Sequence, residues 1–136
     1  MTQSAGDLPN LCGLTVLIAE PNPLIALDLA ATLGGWGARP SLYYDLTGPE
    51  QSSALDLVCA ALVDVPSNHE PLSELIAALR RRGVPTVLTT ACGADSIGGQ
   101  FPEMKVFDKP VDYAALAQWF GGAAAPFEGT GETCTG

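Results

Sequence analysis

Five short apolar runs, separated by segments with helical spacing, constrain this chain more than any other feature. The first, Leu14 to Ala19, is apolar and rich in β-branched residues. It is too short for a helix and suits a strand covered on both faces. It breaks at Glu20-Pro21-Asn22-Pro23. From Pro23 to Trp36 apolar residues then recur at Leu24, Leu27 and Ala31, flanked by Ile25 and Leu29, so a helix is expected with Pro23 at its first turn and Gly34-Gly35 as its stop. Ala38 to Tyr44 reads as a weaker strand ending at Asp45, and "LTGPEQSSALD" as a short helix delayed by Gly48 and Pro49. Leu57 to Val63 is a third buried run, and it ends at Asp64.

The pattern continues through the second half. "HEPLSELIAALRRRG" places Leu72, Leu75, Ile76 and Leu79 on one helical face, closes on a basic last turn that complements the helix dipole, and stops at Gly83. "VPTVLTT" is the fourth strand and "MKVFDKP" the fifth. Between them "ACGADSIGGQFPE" leaves room for about one helical turn, so the fourth helix is expected to be short or irregular. "DYAALAQWF" is a last helix N-capped by Asp112. Strands alternating with helices predict an α/β fold, a doubly wound parallel sheet of five strands with helices on both faces, since right-handed crossovers carry helices to either side. Strand order does not follow from the pattern.

At 136 residues and 47% hydrophobic content the chain suits one core. We expect an N-terminal tail over 1–13, a single domain over 14–121, and a flexible C-terminal tail over 122–136, too short for an effector domain. Six Lys plus Arg against 15 Asp plus Glu give a net charge of -9, which argues against nucleic acid as a partner. Glu20, Asp28, Pro21 and Pro23 break the longest apolar runs well short of the roughly 18 residues of a membrane span. The start, "MTQSAGDLPN", lacks a signal-peptide pattern, so a cytoplasmic location is expected. Cys12, Cys59, Cys92 and Cys134 form no Cys-x-x-Cys pair, and His69 is the lone histidine; neither a zinc site nor a redox pair is supported.

In open α/β sheets ligands bind outside the carboxyl ends of the strands. That rule selects Glu20, Asp64, Thr90 and Lys109, which end the first, third, fourth and fifth runs. Two carboxylates can hold a divalent cation and one can act as nucleophile, while a hydroxyl and an ammonium can hold phosphoryl oxygens. On these residues the chain resembles the receiver domains of two-component response regulators, from about Leu14 to Phe120. "VLIAEPNPLIALDL" is similar to the acidic first loop, "AALVDV" to the strand with the phospho-accepting Asp, "VLTTACG" to the strand with the hydroxyl, and "VFDKP" to the Lys-Pro corner. The resemblance implies a flavodoxin-like strand order of 2-1-3-4-5 and a role in phosphorelay signalling rather than an enzyme activity. Asp64 would accept a phosphoryl group from a histidine kinase or phosphotransfer protein. Glu20, Asp64 and the backbone carbonyl of Pro66 would hold Mg²⁺, Thr90 would bond a phosphoryl oxygen, and Lys109 would pair with the acyl phosphate. Output would pass to a downstream protein target, with homodimerisation a further expectation.

The chain departs from that pattern at Pro21. Receivers carry a second acid there that touches the metal, and proline offers neither a side-chain oxygen nor an N–H. A unit charge about 4 Å from a dication, at an effective dielectric of about 20, is worth roughly 8 kcal/mol of raw attraction, most of it offset by desolvation. Weak or absent Mg²⁺ binding is therefore expected, with Glu20 and the carbonyl of Asn22 as substitutes. Two readings follow: a receiver switched at Asp64, and a degenerate receiver-like module that binds a protein partner without phosphorylation. An aromatic switch position on the fifth strand is matched by Val106. A flavodoxin-like cofactor binder is disfavoured, because "EPNP" presents a carboxylate and prolines where phosphate needs backbone N–H groups. Asp28, Asp45, Asp95 and Asp108 read as caps and exposed faces, and His69 as a surface residue.

Overall fold

A computed structural model gives the architecture and describes residues 9–46, 49–65, 73–91 and 104–123. The elements are β1 (Thr15–Ala19), α1 (Pro23–Gly35), β2 (Arg39–Leu42), a 3-10 turn (Tyr43–Asp45), α2 (Pro49–Leu57), β3 (Ala60–Asp64), α3 (Ser73–Arg81), β4 (Thr86–Thr90), β5 (Lys105–Asp108) and α4 (Tyr113–Ala123). All strand pairs are parallel, in the order β2-β1-β3-β4-β5. The doubly wound, flavodoxin-like sheet is thus present with the order that the receiver resemblance implies. Of the stretch 91–103, where a short or irregular fourth helix is expected, all but Ala91 lies outside the described residues.

Strand alternation explains why β1, β3 and β4 are buried along almost their whole length. Val16 and Ile18 of β1, with Ala60, Leu62 and Val87, pack on Leu29 and Leu33 of α1 and on Leu116 and Phe120 of α4. Leu17 and Ala19, with Ala61, Val63 and Leu88, face the other way, onto Leu75, Ile76 and Leu79 of α3. Each side chain points opposite to its neighbour, so a sheet covered twice needs both parities apolar. β2 is an edge strand, half-buried at best, and its Pro40 is tolerated there.

Element boundaries moved where the chain had competing options. Leu57 was expected to open a strand; it closes α2 and is exposed, and β3 starts at Ala60. Pro85 precedes β4 and contributes only its carbonyl, which accepts from the Ala61 N–H at 3.0 Å. Upstream of Leu14, in the stretch expected as tail, Leu11 is fully buried and its N–H donates to the Trp36 carbonyl at 2.8 Å. α4 runs to Ala123, two residues into the stretch expected as the C-terminal tail. Among the described residues no helix is long and apolar enough to cross a membrane.

Candidate functional site

The parallel register delivers the predicted residues to one edge. Glu20 directly follows β1, Asp64 is the last residue of β3, Thr90 ends β4, and Lys109 directly follows β5. Backbone hydrogen bonds close the mouth: the Val65 N–H donates to the Thr89 carbonyl and the Lys109 N–H to the Thr90 carbonyl, both at 2.8 Å. Lys109 precedes a cis peptide bond to Pro110.

Lys109 is the centre of the cluster. Its Nζ lies 2.6 Å from Asp64 Oδ1 and 3.0 Å from Glu20 Oε1, so one ammonium bridges two carboxylates that are 89 and 45 residues away in sequence. Both acids are buried, Glu20 at 4% exposure and Asp64 at 7%. Such burial is costly unless the charge is paired, and the bridge supplies the pairing. Burial alone would lower the lysine pKa; the hydrogen bonds and charges of Asp64 and Glu20 outweigh it, and Lys109 is held above the usual lysine value. The phenols of Tyr44 and Tyr113 are also raised, chiefly by burial. For Tyr44 the charges of Tyr43, Asp64 and Glu20 add to it; for Tyr113 a hydrogen bond with Asp28 and its charge add, with Glu20 behind them.

The loop after β1 is organised by its own side chains. Glu20 Oε2 accepts from the Asn22 N–H at 3.1 Å, and Asn22 Oδ1 caps α1 by accepting from the N–H groups of Leu24 at 3.0 Å and Ile25 at 3.4 Å. Pro23 occupies the first helical position, where its missing N–H costs nothing. Glu20 is therefore pinned by its own loop and aimed at Lys109.

One hydroxyl escaped the sequence reading. Thr89 donates to Asp64 Oδ1 at 3.3 Å, because Asp64 and Thr89 are register partners and their side chains leave the sheet on the same face. Thr90, the expected hydroxyl, is one residue on, fully buried, with its carbonyl holding Lys109. Counting parity along β3 and β4 would have found Thr89, had the register been known. Pro66 lies outside the described residues, as does His69. Val106 packs at the edge of the α3-side core.

The residues described do not fit a divalent metal. Every oxygen of Glu20 is engaged, Asn22 Oδ1 is spent on the helix cap, Pro21 has no oxygen to offer, and an ammonium stands between the two carboxylates. Mg²⁺ demands near-octahedral oxygen coordination. Among the described residues no group of three or more acidic, His or Cys side chains converges as a metal site. The substitutes expected from Glu20 and Asn22 are thus already committed. Beside the cluster a cavity of about 380 Å³ opens between α1 and α4, lined by Ile25, Leu29, Val111 and Tyr113 with Thr89 and Lys109 at its charged end.

No protein-family model matches the chain, and no curated protein matches it by sequence. Solved structures do. A response regulator receiver protein from Sinorhizobium medicae aligns with 82% of this chain and 96% of its own at 16% identity and a TM-score of 0.62. A CheY-like receiver domain protein from Methanospirillum hungatei gives 78% and 89%, 18% identity and 0.61. A sensor protein from Polaromonas sp. gives 81% and 94%, 24% identity and 0.61. At these identities the likeness is one of fold. With the strand order, the helices on both faces and these neighbours together, the chain has the fold of a response-regulator receiver domain.

Proposed function

We propose that the domain is a phosphorelay receiver in which Asp64 accepts a phosphoryl group from a histidine kinase or phosphotransfer protein and passes the signal to a downstream protein target. One observation carries this reading: the nucleophile candidate, its cation and a hydroxyl meet at a single mouth, with Lys109 Nζ 2.6 Å and Thr89 Oγ1 3.3 Å from Asp64 Oδ1. A carboxylate oxygen of Asp64 would attack phosphorus. The new O–P bond forms as the donor's N–P bond breaks, and the leaving imidazole takes up a proton. Lys109 is within reach to balance the charge that the acyl phosphate brings, and Thr89 or Thr90 would bond one of its oxygens. Mg²⁺ binding would be weak or absent, and no step of the transfer is assigned to it.

The test is intact mass after incubation with acetyl phosphate and with a kinase partner, using Asp64→Asn as control. A gain in the parent that the variant loses supports the reading; no gain from either donor overturns it.

A second reading keeps its own support. Lys109 clasps Asp64 and Glu20 directly. A receiver-like module that binds its partner constitutively would need nothing more, and partner binding unchanged by Asp64→Asn would favour it.

A further inference from the structure

We propose that Lys109 is the resident cation of this pocket, standing where a divalent metal would sit, so that the domain works independently of Mg²⁺. The proposal leans on the receiver reading only for the expectation that a metal belongs there; charge and donor atoms carry the rest. The side chains of Glu20 and Asp64 are only 2% and 9% exposed, and that of Lys109, whose ammonium meets both, is 23% exposed. Two buried carboxylates require positive charge, and Lys109 supplies it from a covalently tethered position.

Three of the four carboxylate oxygens of Glu20 and Asp64 already have partners. Glu20 Oε1 is held by Lys109 and Oε2 by the Asn22 N–H. Asn22 Oδ1 is the α1 cap, so swinging it toward a metal would orphan the N–H groups of Leu24 and Ile25. Asp64 Oδ1 accepts from both Lys109 and Thr89. A dication entering this mouth would have to displace an ammonium already in contact with both acids. Among the described residues it would also meet two carboxylates and no third, with Pro21 where the third would stand. One ammonium against two carboxylates leaves the cluster at a charge of -1. A third carboxylate would make it -2, which favours a dication more strongly.

The test is metal binding to the whole protein, read by thermal melting and by calorimetry with MgCl₂, each against EDTA. The parent is expected to show no Mg²⁺-dependent shift in Tm. Lys109→Met removes the competitor and Pro21→Asp adds the absent acid. Each is expected to gain Mg²⁺ affinity by about tenfold or more, seen as a rise of about 5 °C in Tm once Mg²⁺ reaches about ten times its Kd. Pro21 is exposed, so the second variant reports even where Lys109→Met fails to fold.

A parent stabilised by millimolar Mg²⁺ as strongly as Pro21→Asp would overturn the proposal. So would variants that gain no affinity, because the carboxylates would then not be metal ligands held off by Lys109. Neither readout requires phosphorylation, so both are separate from the mass test of Asp64.

Discussion

The two ends of the sheet are electrical opposites. Of the six basic residues, five collect at the amino edge: Arg39 opens β2, Arg80 and Arg81 close α3 with Arg82 next, and Lys105 opens β5. Lys109 alone stands at the carboxyl edge, among Glu20 and Asp64. The same type of contact is made at both ends and has different consequences. Arg82 Nε meets Asp56 Oδ1 at 3.2 Å, but the acid is 69% exposed and water screens the pair. Lys109 meets acids that water barely reaches. An ion pair stabilises in proportion to what its loss would strand, and only the carboxyl edge strands buried charge.

The comparison can be broken most forcefully at Lys109. Lys109→Met should cost about 3 kcal/mol in urea unfolding at neutral pH, because it leaves two buried carboxylates without their cation. A loss no larger than that of Arg82→Ala would erase the distinction between the two ends. Alkaline pH probes the same contrast without mutation. Lys109, Tyr44 and Tyr113 are all raised in the folded state, so their contribution is complete below the unfolded values of 10.5 for the lysine and 10.0 for the tyrosines. It is lost as pH climbs through the folded ones. Stability should therefore fall above about pH 10. The fall should be shallower in Lys109→Met and unchanged in Arg82→Ala.

Thr89→Val sharpens the picture within the carboxyl edge. Removing the 3.3 Å hydrogen bond to Asp64 should cost about 1 kcal/mol and slow labelling by acetyl phosphate. A greater slowing from Thr90→Val would return the phosphoryl contact to Thr90. The smallest effect belongs to the amino edge, where Arg82→Ala should cost about 0.5 kcal/mol, diminishing with added salt.

The strands and the convergence of Glu20, Asp64 and Lys109 were legible because both follow from short-range pattern: a buried run, a polar stop, and a parallel sheet that aligns the stops. Strand order needed the receiver resemblance, since nothing in the runs says which neighbours which. Thr89 was hidden for a related reason. Its partnership with Asp64 depends on a strand register fixed across a sequence separation of 25 residues, and two consecutive threonines look alike until parity is fixed. Leu57 misled because a leucine after Asp56 serves a helix end as well as a strand start. The commitment of Asn22 to the α1 cap was visible as an Asn before Pro23, yet its exclusion from metal binding needed the two distances to Leu24 and Ile25.

Leu11 carries a consequence at the other end of β1. It is sealed in the core on the α1 side, tied to the Trp36 carbonyl, and followed by Cys12, whose backbone N lies 3.0 Å from where a side chain on Gly37 would begin. Gly37 holds φ at +106°, so both its backbone and its lack of a Cβ are required by the strand's lead-in. A chain trimmed to begin at Thr15 would thus lose a plug as well as an overhang, and water would gain a way under β1 from the end remote from Asp64.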